Sequence, residues 1–270
     1  MADPVFNCPE QNKKVGHADD ALRLLNIPII PKTAISMKFY LDTASMTEIQ
    51  EMTSLGLLDG VAMNANLSAE QGMNFYQGLQ EICRHVSGPI SVGMLSIEEK
   101  AMIKEGKELA KIHENIIVKC PLTPAGLKAT KCLTAEGIHV NVSLCFSLSQ
   151  ALIAAKAGAW CISLCPDTCD DVPSQETRAI PHCENGSGNF DGSIDGGVTL
   201  IRQTARVFHR SGFPTRIMVT GIRSPEHVMN AASGAAPFCM MPFPIVSYLC
   251  NPSLNASPSS LSVRQEQILK

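Results

Sequence analysis

The chain has no basic block. Its 22 lysines and arginines are outnumbered by 25 aspartates and glutamates, for a net charge of -3. That argues against nucleic acid as the main partner and gives no pull toward a membrane. No apolar run approaches the roughly 18 residues of a transmembrane helix. The opening stretch, "MADPVFNCPEQNKK", lacks the charged-then-apolar pattern of a secretory signal. Paired C-x-x-C motifs are missing as well, although there are eleven cysteines, an odd number. The run "CISLCPDTC" followed by "HC" at 182–183 offers metal-binding residue types, but three of them belong to a strand and its exit, so no metal is expected. Cys120, Cys145, Cys161 and Cys239 lie in apolar strand-like runs, where cysteine acts as a small hydrophobe. A reduced, cytoplasmic setting is the expectation.

What is present is a rhythm. An apolar fraction of 45% and a charged fraction of 17% suit a globular chain with a sizeable core. Residues 1–36 read as an N-terminal extension, with prolines in "IPIIPK" forbidding a regular element. From Met37 short apolar strands alternate with amphipathic helices: "KFYLDT", "GVAMN", "PISVGM", "NIIVKC", "HVNVSLC", "WCISLC", "RIMVTG" and "FCMMPF". The segment "AEQGMNFYQGLQEICRHV" reads as one helix between the second and third strands. Continuous apolar strands each followed by a helix predict a parallel sheet. Eight such units over residues 37–250 predict a closed α/β barrel, the (β/α)8 or TIM fold. The competing reading is an open doubly wound sheet, but its glycine-rich turn after the first strand is absent, with "LDTASMTE" in its place. Residues 251–270 form a Ser- and Pro-rich tail whose composition predicts partial disorder.

In such a barrel, chemistry gathers at the C-terminal ends of the strands. The polar residues there are Asp42, Asn64, Lys119, Asn141, Ser143 and Ser163, with Arg223 just after the seventh strand. Lys119 sits inside the apolar run "NIIVKCP", and a buried ammonium is costly to keep. The plain reading is a lysine at a strand end that reaches water. The chemical reading is a Schiff-base lysine, whose amine must be neutral to attack a carbonyl and is made so by desolvation. A carboxylate such as Asp42 would then move protons. Asp42 could equally cap the following helix, and Ser143 and Ser163 could be core hydroxyls bonded to backbone.

The segments "MKFYLDTA", "LGLLDGV", "ELAKIHENIIVKCPLTPAGLKA", "GIHVNVSLCFSLSQALIAAKAGA" and "IRSPEHVMNAASGA" occur in order and resemble the small transaldolases and fructose-6-phosphate aldolases, lysine-dependent class I aldolases on a (β/α)8 barrel. The resemblance implies that Lys119 is the Schiff-base lysine, with no cofactor, and that Asp42 is the acid/base carboxylate. It implies that Ser143, in place of a usual threonine, positions a catalytic water. Asn64 and Asn141 would hold substrate hydroxyls or orient the lysine, Ser163 would line the pocket, and Arg223 would bind substrate. Several positions depart from the family pattern. Ala62 replaces a threonine, Gly93 a water-holding Glu or Gln, Thr168 and Gly221 the phosphate-binding Arg and Ser, and Cys165 an aromatic residue. These changes predict an aldolase- or transaldolase-like enzyme acting on a small carbonyl compound other than a typical sugar phosphate. A Schiff-base enzyme repurposed for condensation, cyclisation or dehydration, and a barrel without catalysis, are the alternatives. The long loop at 166–195, with Arg178 and His182, would be a lid or specificity element. The resemblance also implies a homo-oligomer, although the tail departs from the family's C-terminal helix.

Overall fold

A computed structural model describes residues 36–70, 72, 74–166 and 194–251. The eight strands are β1 (Lys38–Asp42), β2 (Gly60–Met63), β3 (Ile90–Gly93), β4 (Ile116–Pro121), β5 (Val140–Cys145), β6 (Cys161–Leu164), β7 (Arg216–Val219) and β8 (Phe238–Met241). They pair in parallel in chain order, and β8 closes on β1, giving a closed barrel. The expected (β/α)8 architecture is the observed one, and the open doubly wound alternative is excluded by the β1–β8 pairing.

Around the barrel run α1 (Met46–Ser54), α2 (Ala65–Glu70), α3 (Phe75–His85), α4 (Glu99–Ala110), α5 (Pro124–Ala135), α6 (Leu148–Lys156), α7 (Ile194–Ser211), α8 (Pro225–Ser233) and α9 (Phe243–Cys250). Local chemistry sets their starts. Ser45, Thr123, Ser147 and Ser224 each cap a helix by accepting a backbone N–H, and Pro124 and Pro225 stand in the first turn, where a missing donor costs nothing. The segment expected as one helix between β2 and β3 is two. Gly72 takes a left-handed φ of +64°, and the Asn74 side chain accepts from the N–H groups of Tyr76 and Gln77, so a new helix starts there.

Successive strand residues face opposite sides. One set, including Leu41, Val61, Met63, Val92, Val118 and Val142, packs outward against the helices in the main core. A second cluster, Tyr40, Cys161, Met218 and Phe238 with Trp160 and Met240, fills the barrel's own interior toward its N-terminal end. The Tyr40 ring lies over Gly60, where an added Cβ would come within 2.5 Å of its Cε1, so only glycine leaves room for it. Trp160 stacks on Phe238 at 5.7 Å between ring centroids, and the Arg216 guanidinium lies 4.4 Å over the indole. No helix among the described residues is long and apolar enough to cross a membrane. The N-terminal extension, the tail from 252, and Thr168, Cys169, Arg178, His182 and Cys183 lie outside the described residues.

Candidate active site

Asp42 ends β1, two residues beyond Tyr40, and therefore faces the interior. Lys119 comes up on β4, paired in register with Gly93 of β3 on one side and Asn141 of β5 on the other. Both groups are strongly desolvated. Burial raises the Asp42 carboxyl above the usual range, and the Lys119 charge pulls it partway back. Burial likewise lowers the Lys119 ammonium, against the opposing pull of Asp42. Each feels the other's charge, yet the two form no contact ion pair among the described residues. Desolvation outweighs attraction at both, so burial moves each group toward its uncharged form relative to water.

The alternative role for Asp42, as a helix cap, is taken by another residue. Ser45 caps α1 by accepting from Glu48, and Thr43 donates to the Glu48 carboxylate and accepts from the Ser45 N–H. Asp42 is thus spared the local hydrogen bonds that would tie it to the helix start.

Beneath the lysine lies a buried polar chain. Asn141 Nδ2 donates to Ser91 Oγ at 3.2 Å, and Asn141 Oδ1 accepts from Ser163 Oγ at 3.1 Å, joining β3, β5 and β6. All three are buried. A buried amide must be satisfied, and this one is held from both sides in one orientation. Ser91 was not singled out in the sequence, although it shares the inward face of "PISVGM" with Gly93.

The remaining expected residues divide. Ser143 Oγ donates to the Cys120 carbonyl at 3.3 Å, the backbone bond of an ordinary core hydroxyl. Its oxygen keeps accepting capacity. Asn64 is drawn into capping: its Oδ1 accepts from the Leu67 N–H at 3.0 Å at the start of α2. It still lies beside the lysine, because a Cβ at Gly93 would come within 3.3 Å of Asn64 Cβ and 3.5 Å of Lys119 Cε. Gly93 therefore lets Asn64 and the lysine stem pack closely against the β3 backbone. Arg223 is exposed on the loop after β7, with its N–H donating to His227 Nδ1.

Two features of the rim have no counterpart in the sequence reading. Leu144 adopts a left-handed φ of 65° where the β5–β6 register shifts, and its side chain is exposed. Such a kink re-aims neighbouring side chains at a barrel mouth. Glu105, buried on α4, accepts from the N–H groups of Leu95 and Ser96, both at 2.8 Å. Its carboxylate pins the loop after Gly93. The sequence signal was there: Glu105 sits on the buried helix face between Met102 and Leu109. The cysteines expected as hydrophobes are fully buried at 120, 145, 161 and 239. Burial pushes the Cys120 thiol up to about 11 and those of Cys145 and Cys239 to about 12, so they stay protonated.

Residues 39–245 match the model of the family described as Transaldolase/Fructose-6-phosphate aldolase. The chain belongs to that family. It is 40% identical over 210 residues to a "Probable transaldolase" of Desulfatibacillum aliphaticivorans, covering 78% of this chain and 88% of that one. A "Probable transaldolase" of Geotalea daltonii is 41% identical over 213 residues, covering 79% and 90%. Among solved structures, the carboxyl transferase domain of Rhizobium etli pyruvate carboxylase with 3-bromopyruvate aligns with a TM-score of 0.54 at 10% identity, over 89% of this chain and 46% of that one. That likeness concerns the fold alone.

Proposed function

We propose that this family member is a class I aldolase or transaldolase-like enzyme that makes or breaks a carbon–carbon bond through a Schiff base on Lys119. The observation that carries the reading is the desolvated amine of Lys119 sharing one barrel mouth with the desolvated carboxyl of Asp42. The neutral amine attacks a carbonyl carbon, the Asp42 carboxyl gives the proton with which the oxygen leaves as water, and an iminium forms facing the Asp42 carboxylate. The iminium is an electron sink. When the bond beyond the adjacent carbon breaks, its electron pair enters the resulting enamine, and Asp42 takes the hydroxyl proton of the departing aldehyde. In the reverse sense the enamine attacks an aldehyde and Asp42 returns the proton. Ser143 offers an accepting oxygen beside the lysine's strand, and the Ser91–Asn141–Ser163 chain keeps the floor of the site fixed.

The reading needs no metal or cofactor. Its partner is a small carbonyl compound rather than nucleic acid or a membrane, and its setting is the cytoplasm. The glycines at 93 and 221, which offer a substrate no polar side chain, favour altered specificity over a typical sugar phosphate. They also favour, as a second form of the same chemistry, an iminium used for condensation or dehydration.

Borohydride trapping tests this. The protein is incubated with a panel of ketones and aldehydes, reduced, and mapped by peptide mass spectrometry. The expected result is a stable adduct on Lys119 that disappears in Lys119→Met. A folded protein that gives no adduct with any compound of the panel would count for a barrel without Schiff-base chemistry.

A further inference from the structure

We propose that Cys165 and Gly221 form a specificity-determining wall of this site, selecting a carbonyl substrate whose far end is uncharged and apolar. The proposal rests on the Schiff-base reading of Lys119.

The Cys165 N–H donates to the Cys145 carbonyl at 2.9 Å, extending the strand pairing one residue past the end of β6. It lies two residues beyond Ser163, on the same face of the strand, and so reaches the mouth above the Asn141 chain. Across from it, Gly221 follows β7. A Cβ placed on Gly221 would come within 2.8 Å of Cys165 Sγ, and Gly221 has a left-handed φ of +78°. That φ strains any side chain at 221, and one placed there would meet the thiol unless Cys165 turned away. The thiol therefore takes the volume that a hydroxyl or amide there would occupy. A thiol is a weak donor and a weak acceptor, and it offers an anion almost nothing. It does offer soft, polarizable contact to an alkyl chain.

The rest of the rim agrees. Among the described residues that follow the strands at this end, formal charge is carried by Glu98 and Arg223 alone. On the same loops Leu95 and Ile97 are 62% and 77% exposed, and Leu144, at the β5 kink, is 57% exposed. Large apolar side chains held in water by a pinned loop and a kinked strand are surface waiting to be covered. An alkyl substituent on the substrate would cover it, with trapping expected to improve by about fourfold per buried methylene.

Two measurements on the full chain test the wall. In the first, Cys165 is alkylated with neutral iodoacetamide and with anionic iodoacetate, using exposed Cys250 as the internal reference. The expected outcome is a larger preference for the neutral reagent at Cys165 than at Cys250. An equal or reversed preference would overturn the proposal. In the second, Lys119 is trapped with acetone, 2-pentanone, 2-heptanone and dihydroxyacetone phosphate. Efficiency should rise with chain length, the phosphate should trap poorly, and Cys165→Ser and Cys165→Phe should flatten the rise. A flat series, or best trapping by the phosphate, overturns the wall while leaving the lysine chemistry standing. If no compound labels Lys119, the Schiff-base reading fails, and the alkylation ratio still decides whether the wall repels charge.

Discussion

Tyr40 and Asp42 stand two residues apart on one strand, facing the same interior, and they belong to different kinds of chemistry. Around Tyr40 the barrel is plugged by rings: Phe238 at 5.2 Å, Trp160 stacked beyond it, and His139 at 5.2 Å from Trp160. Around Asp42 it holds a lysine, two asparagines, small hydroxyls and two glycines. Burial perturbs both ends. It drives the Tyr40 hydroxyl well above its ordinary range, as it raises the Asp42 carboxyl. At the plugged end, desolvation only keeps a phenol protonated, as it would be anyway. At the open end it moves a carboxyl up and an amine down, toward each other, which is the direction proton transfer between them requires. The two ends share the desolvation but not the pairing of a base with a nucleophile.

The contrast can be broken from either side. The largest effect is expected at the open end. Asp42→Asn should lower turnover by about 10²–10⁴-fold, the usual range for losing a positioned acid/base group, with folding retained. It also carries a pH signature. The Asp42 charge holds the lysine pKa up against burial, so removing it lets that pKa fall further. The rising limb of trapping at Lys119 should then move to lower pH. A limb that stays in place would mean the two groups do not sense each other.

At the plugged end the expected effect is on stability instead. Tyr40→Ala should cost about 3–5 kcal/mol by opening a cavity against Gly60 and Phe238. The trapped adduct should still form at temperatures where the variant is folded. Thermal melting together with trapping at Lys119 would check both halves, and loss of trapping in a folded variant would show that the ends are coupled. Tyr40→Phe should change stability by less than about 1 kcal/mol, since the hydroxyl makes no hydrogen bond among the described residues.

A smaller effect sharpens the boundary between site and scaffold. Glu105→Gln keeps the shape but turns two charge-assisted bonds into ordinary ones, and one amide cannot accept both N–H groups as well. A loss of about 1–2 kcal/mol is expected in denaturant melts. Hydrogen exchange at Leu95 and Ser96 should rise more than in β4. Uniform exchange would assign Glu105 to general stability and not to the loop.

The barrel and its inward residues were legible because period-2 alternation on short strands fixes which side chains meet. Lys119, Asp42, Asn141 and Ser163 stood out as polar residues at strand ends and through the family resemblance, and that alternation turns them inward. What escaped were features set by hydrogen-bond competition. Nothing in "MNANLS" tells that Asn64 spends its oxygen on Leu67, and a single helix across 69–86 was broken by Gly72 and Asn74. Glu105 stands on the buried face of its helix pattern, but periodicity does not say which backbone groups a buried carboxylate will hold. Leu144 was hidden because a left-handed leucine is a property of the bulge, not of the residue type.

The Glu105 clamp has one more consequence. Past Met94, which still bonds the Lys119 carbonyl of β4, the rim loop after Gly93 is anchored to the helix that follows it. Loop and helix are thus fastened to each other, while the strand stays paired into the barrel. The loop sequence can drift, or be exchanged by an engineer, while the carboxylate keeps the exit point from β3 fixed. Novelty at the mouth of this barrel can therefore arise without renegotiating the barrel wall.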